Sequence, residues 1–340
     1  MSCRIIGSPE QPRWFRQTDM ACEPFQICER EFSNDDAKPS FGLANIQAHV
    51  PDIEANQARI LEALRIFKEK RVNVAVFPEF CLSGYFWEDE KECWPYMEHA
   101  AFGHQSDWIE NQVRPLLDDT LRGIILNGVR KGPGRKFLNS TIIISRKHDH
   151  WNLSAAYNKT FLPRIEKTYA ESGRDDRLVV DTEVGRFGFT TCYDVLFSQL
   201  ITEYAVVDEV DAIVQLASWR AMARRDYPGM NVKTDAYYGV LWDLTMAATA
   251  ASHQIWVIAC NAVGRHPISG ARFWGGSGIW APSGLCMVQA SRIQEELLIV
   301  HNVDIRSHRE FERDEFDYSV DFKEIYRKVE GQRTFTRIDI

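Results

Sequence analysis

The sequence predicts a mixed α/β fold in one continuous domain, on three observations. Short apolar runs alternate with stretches of helical period through most of the chain. No linker rich in Pro, Gly or Ser breaks the middle. The 340 residues, 45% hydrophobic and 26% charged, suffice for a large core, one that buries about three quarters of the surface an unfolded chain exposes.

Residues 1–39, rich in Pro, Gln, Glu and Asp, show no clear period and read as an extension lying on the domain, which opens at FGLANIQAHV. Residues 41–49 are expected as strand, 53–69 as an amphipathic helix and 72–77 (VNVAVF) as a buried strand, a βαβ opening. Further strands are expected at 123–129, 138–145, 151–157, 185–191, 211–216, 255–261, 277–281 and 297–303, and helices at 106–118, 197–207 and 235–252. The domain spans 40–305. Residues 306–340, charged and amphipathic at best, read as a tail that covers an edge or a partner subunit.

A formal net charge of -8 with no Lys/Arg-rich stripe argues against nucleic acid or an anionic membrane as partner, because counterion release needs a basic face. A small molecule is the expected partner. Eight cysteines form no CxxC pair and sit mostly among apolar residues, so they read as thiols. The N-terminal stretch lacks an apolar core of signal-peptide length, and no run of eighteen apolar residues occurs. A reducing, cytoplasmic location is the expectation.

Ligands of open α/β sheets sit beyond the carboxyl ends of the strands, where loops diverge and side chains converge. Three strands deliver a reactive group there: VNVAVF runs into PEF and Glu79, WNLSAAY into NK and Lys159, and GRFGFTT into Cys192. Together they suit amide hydrolysis. A thiol needs a neighbouring base or cation to attack a carbonyl carbon. Glu79, between apolar Phe77, Pro78 and Phe80, can take the thiol proton and return one to the leaving amine. Lys159 and the backbone N–H of Tyr193 could donate to the oxyanion. The cycle needs neither metal nor cofactor.

From about Phe41 to Asp304 the sequence resembles the nitrilase, or carbon-nitrogen hydrolase, superfamily. FPEFCLSGY resembles its glutamate block, FLNSTIIIS followed by YNKTFLP its lysine block, and TTCYDVLF its nucleophile block. The resemblance implies a Glu79–Lys159–Cys192 triad in a four-layer α-β-β-α sandwich, paired as a homodimer or higher homo-oligomer. It also implies a second glutamate that orients the lysine and the substrate; Glu166 in RIEKTYAESG matches its place before Gly173 better than Glu171 does. DAIVQLASW, HQIWVIACNAVG and GGSGIWAPSG resemble the remaining structural blocks. Tyr193-Asp194 after the nucleophile favours an amidase or carbamoyl amidohydrolase over a nitrilase, whose members tend to carry Trp-Glu there. Val195 and Leu196 stand where relatives that hydrolyse N-carbamoyl amino acids grip a carboxylate with arginine, which counts against that substrate class. A nitrilase and a catalytically inactive scaffold relative remain the alternatives.

Other features carry weaker signals. KGPGRK (131–136) reads as a turn rather than a phosphate loop, and HDH (148–150) as a hairpin tip rather than a zinc site. GGSG (275–278) reads as close backbone packing more than as an anion nest. Arg220, Arg224 and Arg225 follow Ser218 in a segment that borders the pocket in the family; they read as a solvated basic helix face rather than as an anion site for the substrate. Trp219 is expected to meet the substrate, and the shape of the pocket to depend on loops near Phe86, Phe161, Trp219 and Trp274.

Overall fold

The computed structural model describes residues 24–85, 90–145, 156–173, 177–223, 225–226, 229, 233–266 and 269–324. Its architecture follows from strands whose alternate side chains are apolar on both faces. In the strands Phe41–Asn45 (β2) and Val74–Val76 (β3), Phe41, Leu43 and Val76 point one way and Ala44 and Ala75 the other. The pattern recurs in Glu296–His301, where Leu298 and Val300 oppose Leu297 and Ile299. Period-2 alternation of this kind buries a sheet on both sides.

Two sheets result. The first has seven strands: Gln26–Glu31 (β1), β2, β3, Gly123–Lys131 (β4), Phe137–Ser145 (β5), Tyr157–Asn158 (β6) and a late strand, Glu296–His301, which inserts between β1 and β2. The second has six: Val179–Thr182 (β7), Gly185–Thr191 (β8), Ala212–Ala217 (β9), Trp256–Asn261 (β10), Gly278–Trp280 (β11) and Cys286–Gln289 (β12), ordered β12-β11-β10-β9-β8-β7. The late strand of the first sheet is thus β13. β2, β3 and β4 run parallel, as do β8, β9 and β10, while the outer pairs β4–β5 and β7–β8 are antiparallel.

Between the sheets lies a core of Phe41, Leu43, Val76, Ile125, Leu298 and Val300 from the first, against Phe189, Val214, Leu216, Trp256 and Ile258 from the second. The outer face of the first sheet carries the helices Ile53–Glu69 (α1) and Glu90–Ala100 (α2), with Ile60, Leu64, Phe67 and Tyr96 buried on it. On the outer face of the second, helical turns over 198–207 and the helix Tyr237–His253 (α3) bury Ile201, Tyr204, Trp242 and Met246. The four layers are α-β-β-α, as the resemblance implies.

α1 begins and ends where its pattern predicts, because Asp52 caps it by accepting from the Ala55 N–H. The helix expected at 106–118 breaks into a short α turn, a π turn and a 3₁₀ turn over 106–116, as Pro115 lacks an N–H to continue it. Gln26–Glu31, expected within an extension without regular structure, form an edge strand parallel to β13. Its side chains are mostly exposed, so no apolar alternation marks it. In the tail, Ile305–Glu315 (α4) and Tyr318–Glu324 (α5) are helical. Arg309 anchors α4 through a buried ion pair with Asp211. Among the described residues no helix is long and apolar enough to cross a membrane.

Leu298 is wholly buried between the sheets. Leu298→Ala is expected to cost about 2–5 kcal/mol through lost burial and a residual cavity, read as a lower denaturation midpoint in urea.

Candidate active site

Three of the four residues expected at the site are wholly buried: Glu79, Lys159 and Glu166. Cys192 is half-buried. Glu79 follows β3 at the carboxyl end of the first sheet, Lys159 follows β6 in the same sheet, and Cys192 follows β8 in the second. Contacts between the ends of the two sheets bring them together. Lys159 Nζ lies 2.8 Å from Glu79 Oε1 and 2.6 Å from Glu166 Oε1. The Glu79 charge acts on the Cys192 thiol and raises it.

Burial alone would push Lys159 toward its neutral form, yet the carboxylates of Glu166 and Glu79 outweigh it and hold the ammonium well above its ordinary range. Burial also raises Glu166, against the pull of Lys159. Cys192 is raised well above the usual thiol range, first by burial and then by the Glu79 charge, with Lys159 opposing. Together these effects favour the neutral thiol at Cys192.

Backbone geometry aims these groups. Cys192 adopts φ 49° and Phe80, next to Glu79, φ 52°, a left-handed region that costs a residue with a Cβ roughly 1–3 kcal/mol. The nucleophile turn is held by a capping box, in which the Thr191 side chain accepts from the Asp194 N–H and the Asp194 carboxylate accepts from the Thr191 N–H. That carboxylate also accepts from the Tyr157 hydroxyl at 2.7 Å and from the Phe161 N–H at 2.7 Å. Asp194, pushed up to about 6 by burial, so ties the cysteine turn to both flanks of Lys159. Gln215 steadies the turn from β9, donating to the Cys192 carbonyl at 3.0 Å.

Lys159 is fixed through its main chain as well. Its N–H donates to the Asn139 carbonyl at 2.8 Å, and its carbonyl accepts from the Gly173 N–H at 2.9 Å. A Cβ at Gly173 would stand 2.2 Å from the Asn158 carbonyl oxygen. Only glycine lets the segment after Glu166 close so tightly.

Several functional contacts lie outside the residues singled out in the sequence. Ser218, at the end of β9, donates its N–H to Glu79 Oε2 at 2.8 Å and its hydroxyl to the Glu79 carbonyl at 2.7 Å, so the second sheet grips the carboxylate of the first. Asn139 donates to Glu79 Oε1 at 2.8 Å and to Glu166 Oε2 at 3.2 Å. The Tyr85 hydroxyl donates to Glu166. A signal for Asn139 was present: the polar run Asn139-Ser140-Thr141 interrupts an otherwise apolar strand.

A profile of the carbon-nitrogen hydrolases matches residues 42–312. The chain belongs to the carbon-nitrogen hydrolase family. Over 127 residues, 37% of the chain, it is 32% identical to the chloroplastic omega-amidase of Arabidopsis thaliana, and that match spans 29% of the plant protein's length. Among solved structures, a carbon-nitrogen hydrolase of Helicobacter pylori G27 superposes with a TM-score of 0.72 at 16% identity, covering 87% of this chain and 99% of the other. An amidase of Nesterenkonia AN1 from the nitrilase superfamily superposes at 0.64 and 16% identity, with 84% and 97% covered. These structural likenesses establish the fold.

In this carbon-nitrogen hydrolase Glu171 donates its backbone N–H to the Phe137 carbonyl and is half-buried, whereas Glu166 supplies the carboxylate on Lys159. Tyr193 sits on the first turn after Cys192, its ring edge-on to Phe197 at 5.1 Å. Phe197 in turn stacks on Phe161, with centroids 3.6 Å apart. Trp219 is buried, its indole N–H committed to the Tyr238 carbonyl at 2.7 Å. Arg220 is exposed. Arg225 pairs its backbone with Thr234 in a two-residue ladder, while Arg224, Phe86 and His148–His150 lie outside the described residues. KGPGRK forms the turn between β4 and β5. GGSG packs closely, as a Cβ at Gly275 would meet the Ser291 carbonyl at 2.5 Å.

Thiolate absorbance in the ultraviolet, taken as the difference between wild type and Cys192→Ser, should stay flat through neutral pH and rise only above the ordinary thiol range. Because the Glu79 charge raises the thiol, Glu79→Gln should move that rise to lower pH. A thiolate already present at pH 7 in the wild type would contradict the electrostatics described above.

Proposed function

We propose that the protein hydrolyses the C–N bond of a small linear amide through a Cys192 thioester and releases ammonia. The observation that carries this reading is the Lys159 ammonium, held between Glu79 and Glu166, whose charges all act on the nearby Cys192 thiol. The partial match to an omega-amidase and the structural likeness to an amidase support an amide as substrate.

In the proposed cycle Glu79 takes the thiol proton as sulfur attacks the carbonyl carbon, so charge separation is avoided where an isolated thiolate would be costly. The carbonyl oxygen becomes an oxyanion that accepts from the Lys159 ammonium and the Tyr193 N–H. Glu79 then gives its proton to the leaving nitrogen, and ammonia departs as the thioester forms. Water enters, loses a proton to Glu79 and attacks the thioester; the carboxylic acid leaves and the proton returns to sulfur. Glu166 stays ionised and holds Lys159 in place. No step draws on a metal or a cofactor.

The decisive measurement is ammonia release from a panel of amides, N-carbamoyl compounds and nitriles. Amide turnover with nitriles untouched is expected; turnover of nitriles alone would replace this reading with a nitrilase. Cys192→Ser, Glu79→Gln and Lys159→Ala should each lower kcat by about a hundredfold or more, since each removes a group worth roughly 3 kcal/mol or more in the transition state. Near-normal rates in any of the three would remove that residue from the mechanism.

A further inference from the structure

We propose that Asn127 and Asn139 form a two-amide relay that positions both glutamates about Lys159, making each a positioning residue for the reaction inferred above. The oxygen and nitrogen of a buried carboxamide are told apart by their partners. Here one partner leaves no choice. The Phe80 backbone N–H can only donate, and it meets Asn127 Oδ1 at 2.9 Å. Asn127 Nδ2 is therefore the donor on the other side, to Thr141 Oγ1 at 3.0 Å and to Asn139 Oδ1 at 2.9 Å. With its oxygen so engaged, Asn139 turns its NH₂ to the carboxylates and spends one hydrogen on Glu79 Oε1 and the other on Glu166 Oε2. Both asparagines are buried, at 0% and 1% exposure, so water does not compete.

The relay closes a ring. It starts at the main chain of the residue after Glu79 and ends on the Glu79 carboxylate. Phe80 holds a left-handed backbone that the Asn127 bond helps to fix. The Asn139 carbonyl also accepts from the Lys159 N–H, so one residue touches the two acids and the backbone of the cation.

Chemistry explains why an amide stands here. Two carboxylates sharing one ammonium repel each other, and a donor to both relieves that repulsion. A second lysine would supply more charge but also a further ionisable proton beside the base. A neutral carboxamide donates twice and cannot titrate, which leaves proton exchange to Glu79 and Cys192. Its fixed direction holds the Glu79 carboxylate in one orientation beside Lys159, where small misalignment is costly.

The proposal rests on the hydrolase reading for its turnover measurement, and a second measurement is independent of it. Wild type, Asn127→Ala, Asn139→Ala, Asn139→Asp and the double alanine variant are compared for melting temperature, kcat and KM on the amide turned over, and the rate of Cys192 alkylation by iodoacetamide. Each single alanine variant should lower kcat about 10- to 100-fold, with KM changed less than about threefold. The double variant should be no slower than Asn139→Ala, because both changes open the same ring. Asn139→Asp, which aims a third carboxylate oxygen at the pair, should be slowest. Alkylation rates should fall in the same order. Rates within about twofold of wild type in Asn127→Ala, or losses that multiply in the double variant, would overturn the relay. If an alanine variant does not fold, Asn127→Leu, of similar size, takes its place with the same expected loss. If wild type releases no ammonia from any amide, the hydrolase reading fails and the alkylation order alone decides the relay.

Discussion

A lysine ammonium sealed from water between two carboxylates is the interaction on which this structure turns. Stranding such a charge without a partner costs several kcal/mol, and removing one member of a buried pair about 3–5 kcal/mol. Lys159 therefore obliges the fold to deliver both Glu79 and Glu166 to it. Those residues come from a loop after β3 and a turn after β6, and the remaining architecture serves to hold these ends in register. The helix layers seal the outer faces of the sheets, and the apolar layer between the sheets fixes their spacing.

The same charges set the state of the nucleophile. Burial and the adjacent Glu79 charge disfavour a standing thiolate, while Lys159 works against them. The outcome differs from a thiolate and imidazolium held as a permanent ion pair. In the mechanism proposed above, sulfur keeps its proton until a carbonyl arrives to accept the developing charge, so that the electrostatics of the site act on the transition state rather than on the resting protein.

Much of this was legible in the chain because the chemistry sits at strand ends. Alternation located β8 and α1 at their true bounds, and the three groups that follow β3, β6 and β8 converge as their positions suggest. Glu166 was legible only against the position of Gly173, since nothing in its own neighbourhood separates a buried carboxylate from an exposed one. Gln26–Glu31 escaped because an edge strand with both faces wet has no apolar period to betray it. Ser218 escaped for a different reason. Its value lies in a contact across 139 positions of sequence, and a lone serine carries no mark of what it will meet. Asn139 was marked by the polar run in its strand, yet its partner 60 positions away was not. Trp219, expected beside the substrate, has its indole N–H bound to a backbone carbonyl and its ring tilted against Trp242.

The grip of Ser218 on Glu79 makes the base a rivet between two plates. One end of the carboxylate is planted in the loop of its own sheet, and the other is pinned to the main chain of the opposite sheet. Any sliding of one plate over the other by a fraction of a bond length would be felt first at the Glu79 carboxylate. In the mechanism proposed above, chemistry is thus mechanically tied to alignment of the sandwich as a whole, and a chain whose layers have begun to shear would lose its base before it loses its shape.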